Sequence, residues 1–235
     1  MLTWVEPGQP LPPAHTALRE PNGLLAAGRD LSPRRLLEAY GKGIFPWYSQ
    51  GQPVLWWSPD PRMVAFVDEF EPSRSLRRTL RRVARTGEWS VTLDTAFVAV
   101  MRACAAPREG QDGTWITPDI VAAYHGLHRL GHAHSVEVWA QRDLVGGLYG
   151  VSIGRMFFGE SMFTRVTDAS KAAYAALLAM LRRLGFTMVD CQQSTGHLAS
   201  LGAREISRGE FLERIAGLCE LPGPDWSKVR IEWPE

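Results

Sequence analysis

The segment MVDCQQSTGHLASLG (188–202) sets a carboxylate, a thiol, a carboxamide and an imidazole in one short stretch: Asp190, Cys191, Gln192 and His197. A thiol becomes a nucleophile only where a base or a cation favours the thiolate, and no sequence signature supplies one for Cys191. Strand alternation turns Cys191 away from Asp190 and Gln192, which share a side, so Cys191 is expected to be a buried structural thiol facing away from any site. His197 has no partner visible in the sequence and is expected to serve the short helix that Ser194-Thr195 begins. Asp190 is different, because a carboxylate closing the apolar run FTMV must be paired or functional. Glu160 poses the same problem among the aromatic residues of RMFFGESMF (155–163). Two carboxylates on neighbouring strands would make an acidic pocket suited to a cationic amine. A purely structural ion pair is the competing reading.

Other candidate clusters carry less. In YHGLHRLGHAHS (124–135), His125 and His128 share a helix face, but His132 and His134 lie beyond the stop at Gly131. With no cysteine or paired carboxylate nearby, they are expected to be structural and no metal is expected. Gly146, Gly147, Gly150 and Gly154 sit in a strand pattern with no helix after them. They suit close backbone approach, a bulge or a ligand against the sheet better than a phosphate loop.

The segment 73–86 reads differently. Arg74, Arg77, Arg78, Arg81, Arg82 and Arg85 fall within an arc of about 140° on a helix, with Leu76, Leu80 and Val83 opposite. Like charges on one face repel unless an anion is present, and guanidinium forks match phosphate. Binding to a phosphate backbone is therefore preferred over a merely solvated face. The apolar side has no aromatic residue to insert into a membrane.

These groups need a frame. The 235 residues are 45% hydrophobic and 22% charged, with a net charge of +1, which fits a soluble globular protein whose anionic partners meet a local patch. Three scattered cysteines point to a reducing compartment. No apolar run reaches membrane-spanning length and the N-terminus lacks the order of a signal peptide, so a cytoplasmic location is expected. The Pro- and Trp-rich first sixty residues show a helix from Ser32 to Tyr40. Met63–Val67 reads as a strand, 73–86 as a helix, Ser90–Leu93 as a strand, Thr95–Ala105 as a helix, with a loop to Gly113 and a helix from Pro118 to Leu130. The period then becomes twofold over 134–141, 144–154 and 155–163, predicting a meander. Asp168 is expected to cap a helix ending at Gly185, followed by the strand FTMVDCQ, the short helix ending near Gly202, and a last helix from Ser207. The result is α+β with a mixed sheet flanked by helices, an order that resembles the GCN5-related N-acetyltransferases.

Several segments together resemble one family: GLLAAGRDLSPRRLLEAYGKGIFPWYS (23–49), LWWSPDPR (55–62), EGQDGTWITPDIVAAYHGLHRLGHAHSVEVW (109–139), LVGGLYGV (144–151), FFGESMF (157–163), ASKAA (169–173) and DCQQSTGHLASLGAREISR (190–208). They resemble the leucyl/phenylalanyl-tRNA–protein transferases along nearly the whole chain. The resemblance implies a bacterial cytoplasmic enzyme, without metal or cofactor, that moves Leu or Phe (also Met) from aminoacyl-tRNA to the N-terminal Arg or Lys of a protein, creating a degradation signal. It implies a small N-terminal α/β domain over 1–62 and an acetyltransferase-like domain over 63–235 that includes the basic helix. By the same resemblance Asp190, Gln192 and Glu160 are catalytic, with Asp190 orienting Gln192 and favouring the incoming cation. Leu148, Phe157, Tyr174, Leu177, Leu181 and Val189 would line the aminoacyl side-chain pocket. Trp47, Trp57, Trp115 and Tyr124 would hold the terminal adenosine, and the six arginines the tRNA phosphates. Arg29 stands where the family pattern leads one to expect Gly, and Tyr174 and Leu177 where other members carry Leu and Phe.

Two rivals are weighed against this. An acetyl-CoA-dependent acetyltransferase needs free N–H groups at a helix start for pyrophosphate. In RVTDAS (165–170) the Asp168 side chain is expected to take those groups itself. A non-catalytic tRNA-binding protein has no need of the Asp190 and Gln192 pair.

Overall fold

The structure, a computed structural model, describes residues 2–107 and 114–234. The loop expected to end at Gly113 lies, over 108–113, outside the described residues. In the first sixty residues, β1 (Thr3–Val5), β2 (Leu24–Gly28), β3 (Phe45–Pro46) and β4 (Val54–Trp57) form a four-stranded sheet ordered β1-β2-β4-β3. Residue patterning there shows only the helix, now α1 (Pro33–Gly41), with Ser32 Oγ accepting from the Arg35 N–H at 3.3 Å and Pro33 at its first position, while strands in this region are implied by the family resemblance alone. Strands of two to five residues are too short for alternation to register, which is why this sheet is invisible in the sequence.

The second sheet holds β5 (Arg62–Phe66), β6 (Ser90–Leu93), β7 (Ala133–Ala140), β8 (Asp143–Ile153), β9 (Met156–Thr164), β10 (Met188–Asp190) and β11 (Arg204–Ile206). Their order is β11-β5-β10-β9-β8-β7-β6. The expected meander is β7-β8-β9, and the sheet is mixed because β10 runs parallel to β9 and antiparallel to β5. β5 begins at Arg62, so the expected division after residue 62 falls just inside it.

Helices cover both faces. On one lie α1, α3 (Phe97–Ala105), α4 (Pro118–Arg129) and α7 (Arg208–Glu220), which share a core with the first sheet. On the other lie α2 (Arg74–Thr86) and α5 (Ala169–Arg183). α2 buries Leu76, Leu80 and Val83, starts on a Ser73 cap and stops at Gly87 in the left-handed conformation. α5 approaches β8 so closely that a Cβ on Gly146 would stand 2.6 Å from that of Ala169, which is why a strand tolerates glycine there.

Asp168 corrects an expectation. It occupies the position before α5 at φ 69°, but its carboxylate makes no cap. It accepts from Thr79 Oγ1 at 2.9 Å and from Lys171 Nζ at 2.9 Å. A left-handed backbone turns that side chain away from the helix N–H groups, so capping by Asp168 is not what would exclude acetyl-CoA.

Candidate active site

β9 and β10 pair only at Phe157 with Val189 and Phe158 with Asp190, then part. Glu160 and Gln192 come just past the split, each two residues beyond the last pair. Their side chains meet through an irregularity that alternation does not reveal. The β8–β9 register shifts between Tyr149 and Gly150, pairing Tyr149 with Ser161 and Gly150 with Gly159, so Glu160 is an extra residue on β9. Such a bulge re-aims a side chain. Gly150 permits it, because a Cβ there would lie 2.4 Å from the Phe158 carbonyl oxygen.

Glu160 Oε1 accepts from the Tyr40 hydroxyl at 2.6 Å and Oε2 from the Tyr124 hydroxyl at 3.2 Å, and the two hydroxyls touch each other. The Gln192 carboxamide Nε2 donates to Oε1 at 3.3 Å. Burial pushes the Glu160 carboxyl up to about 7. The Tyr40 and Tyr124 hydroxyls and Arg62 pull it down, and Asp190 pushes it further up. Among the described residues no cation hydrogen-bonds to it, so its charge is met directly by neutral donors alone.

Asp190 has the opposite surroundings. It is wholly buried and accepts from Arg62 Nε at 2.8 Å and Nη2 at 2.7 Å. Its Oδ1 also accepts from the Gln192 backbone N–H at 3.0 Å. The expectation that it favours an incoming cation is thereby corrected, since Arg62 already neutralises it and no face of it reaches the cavity. Nor do Asp190 and Gln192 point together. β10 ends at Asp190, and Gln192 has a left-handed φ of 55°.

A cavity of about 900 Å³ opens at this split. Of the six residues expected to form an apolar pocket, Leu148, Tyr174, Leu177 and Val189 line it, while Phe157 and Leu181 are wholly buried behind the wall. Cys191 lines it beside Val189, against the expectation that it faces away. The two lie two residues apart at the end of β10, and burial pushes the Cys191 thiol well above its ordinary range, which disfavours the thiolate a nucleophile needs. Trp47, Trp57 and Trp115 also line it, and Trp47 and Trp57 meet edge to face with ring centroids 5.5 Å apart. Tyr124, expected to stack on a base, is wholly buried and spends its hydroxyl on Glu160. It offers no free face. His197, expected only to serve its helix, lies on α6 (Gly196–Ser200) and also lines the cavity.

The six arginines of α2 are all exposed. Arg77 pairs with Glu71 at 3.4 Å and Arg82 with Glu88. Among the described residues Arg74, Arg78, Arg81 and Arg85 form no ion pair.

Sequence reasoning missed Arg62 and Tyr40. Arg62 heads the buried strand RMVAF, and a charge at such a place announces a buried partner. Tyr40 carries no signal of its own, since its hydroxyl finds Glu160 only through tertiary packing.

The family described as leucyl/phenylalanyl-tRNA protein transferase matches residues 64–216, and the N-terminal domain of the same family matches residues 29–60. The chain is 61% identical over 226 residues to the leucyl/phenylalanyl-tRNA–protein transferase of Cupriavidus necator, covering 94% of this chain and 90% of that one. To the Paraburkholderia xenovorans protein of the same description it is 59% identical over 230 residues, covering 96% and 94%. Among solved structures, FemX matches with a TM-score of 0.46 at 11% identity, over 74% of this chain and 66% of that one. A GCN5-related N-acetyltransferase from Kribbella flavida matches with a TM-score of 0.36 at 9% identity, over 74% and 61%.

Proposed function

Since this chain belongs to the leucyl/phenylalanyl-tRNA protein transferase family, and is thus an aminoacyltransferase that passes aminoacyl residues from tRNA to proteins, we propose that it transfers Leu, Phe and Met to the N-terminal Arg or Lys of acceptor proteins. The product is a degradation signal, and the enzyme works in the cytoplasm without metal or cofactor. The observation that carries this reading is one cavity joining an apolar lobe to the Glu160–Gln192 pair.

The apolar lobe, walled by Leu148, Tyr174, Leu177 and Val189, takes an aliphatic or aromatic side chain and no charged one. The tryptophans that line the cavity suit the terminal adenosine, because aromatic faces stack on bases. The arginine face of α2 suits the acceptor-stem phosphates, which it holds without reading sequence. Glu160 supplies the negative charge that attracts the cationic acceptor N-terminus.

In the transfer the acceptor amine attacks the ester carbonyl carbon, an oxyanion forms, and the carbonyl–ribose oxygen bond breaks. The proton lost by nitrogen ends on the departing ribose hydroxyl. Gln192 Nε2 is committed to Glu160, which leaves its Oε1 to accept from the attacking amine. A neutral amide is a very weak base, so Gln192 positions the nucleophile while substrate hydroxyls pass the proton. Asp190 touches no reacting atom and acts through the Gln192 backbone.

The test is transfer of labelled Leu from Leu-tRNA to a peptide with N-terminal Arg, beside the same peptide N-acetylated. Transfer to the free amine alone is expected, and Gln192→Ala should lower the rate roughly a hundredfold. A wild type that transfers nothing overturns the reading. Neutralising Arg77, Arg78 and Arg81 should weaken tRNA binding and flatten its logarithmic salt dependence by about 0.7 to 0.9 for each phosphate that is no longer neutralised. An unchanged slope would remove α2 from the interface.

A further inference from the structure

Gln192 is a non-glycine residue held at φ 55°, a conformation that such residues adopt only under constraint. Two bonds constrain it. Its N–H donates to Asp190 Oδ1 at 3.0 Å, and its carbonyl accepts from the Met63 N–H at 3.2 Å. Both trace to the start of β5, because Met63 follows Arg62 and Arg62 fixes Asp190 through two parallel bonds. Arg62 is itself overdetermined. It is wholly buried, its Nη1 donates to the Gly43 carbonyl at 3.1 Å, and its guanidinium lies 4.9 Å from the Phe45 ring and 4.5 Å from that of Phe211.

We propose that Arg62 is a positioning residue for aminoacyl transfer, fixing through Asp190 the left-handed turn from which Gln192 reaches the attacking amine. The inference rests on the role given to Gln192 above. A planar fork bound on two edges and packed on two rings has one orientation, so the carboxylate it holds has one orientation too. The dependence of catalysis on Asp190 is then geometric, carried by the Gln192 backbone, and not a charge felt by substrate.

Arg62→Lys keeps the charge and loses the fork. It should lower kcat by about tenfold to a hundredfold, leaving KM for tRNA and for acceptor within roughly twofold. In a Gln192→Ala background the same change should cost nothing further, because both act through one group. Should Arg62→Lys fold poorly, the double variant Arg62→Met/Asp190→Leu removes the whole pair, which proteins tolerate better than half of one. It should fold and remain as slow as Arg62→Lys. A raised KM at unchanged kcat, a full loss persisting without Gln192, or wild-type kcat in the double variant would overturn the proposal. Hydrogen exchange of the 190–193 backbone separates its failure from that of the proposed function. Exchange at Gln192 should speed by about tenfold or more in Arg62→Lys whatever the wild type transfers, and unchanged exchange would sink the positioning role.

Discussion

Asp190 and Glu160 are carboxylates on adjacent parallel strands, and they differ in what answers their charge. Asp190 meets one edge of a guanidinium through two parallel bonds and is sealed from solvent. Glu160 meets two phenolic hydroxyls and one amide, at the wall of a cavity. A third carboxylate shows that neutral donors alone do not make a functional group. Glu137 is wholly buried and accepts from Thr92, Thr95 and Ser135 hydroxyls and the Ala96 N–H, so it anchors the start of α3 to β7. What sets Glu160 apart is the combination of an unneutralised charge and an open cavity. Carboxylates of that kind are poised near neutrality and answer to ligands. Those of the Asp190 kind hold the frame.

The largest expected effect tests this contrast in stability. Asp190→Ala strands the Arg62 guanidinium in the core and should cost about 3 to 5 kcal/mol. Glu160→Gln should cost little, and its effect should change with pH. A buried carboxyl whose folded pKa, about 7, lies above its unfolded value contributes stability that is complete below the unfolded pKa. That contribution is lost as pH rises through the folded one. Glu160→Gln should therefore gain on the wild type between about pH 5 and pH 8, as read by denaturant melts at each pH. A gap that does not change with pH would mean that Glu160 is not poised.

How much of this was legible in the sequence follows from range. The meander and the arginine face were, because alternation and helical spacing are local patterns sustained over eight or more residues. The polar problem at Asp190 and Glu160 was also visible as two charges in apolar runs. Its resolution was not. The direction of Glu160 depends on a bulge defined by the partner strand. The partner of Asp190 lies 128 residues away. Asp168 failed as a cap because a left-handed φ cannot be read from its identity, and Tyr124 failed as a stacking face because helix position says nothing of which neighbours close over it. Asn or Asp in tight turns, and charges heading buried strands, are the residues for which sequence states a need without stating how it is met.

A second test reads the same contrast in rate. On the proposed mechanism the acceptor amine must be neutral, with a pKa near about 8, and Glu160 must be ionised, with one of about 7. Below about pH 6.5 both are lost together, so log kcat/KM should climb with a slope approaching two. Glu160→Gln removes one proton from that count and should bring the slope near one, at a lower absolute rate. Equal slopes in wild type and variant would assign the negative charge felt by the acceptor to another group. Tyr40→Phe is a finer probe, since its hydroxyl pulls the Glu160 pKa down. Without it the acid limb should move to higher pH with the slope unchanged.

The smallest effect concerns hydroxyls rather than carboxylates. Tyr40 and Tyr174 both sit beside the cavity region, and both phenols are pushed up by burial. The Tyr40 hydroxyl has Glu160 as its acceptor, whereas that of Tyr174 is buried with no hydrogen-bond partner among the described residues. A buried donor without an acceptor carries its desolvation cost uncompensated, about 1 to 3 kcal/mol. Tyr174→Phe keeps the ring that meets Phe70 edge to face at 5.4 Å and walls the apolar lobe. It should leave stability unchanged or raise it by up to about 1 kcal/mol, a shift in Tm of roughly 2 to 4 °C, with Leu transfer intact. A lower Tm would show that this hydroxyl is satisfied in solution.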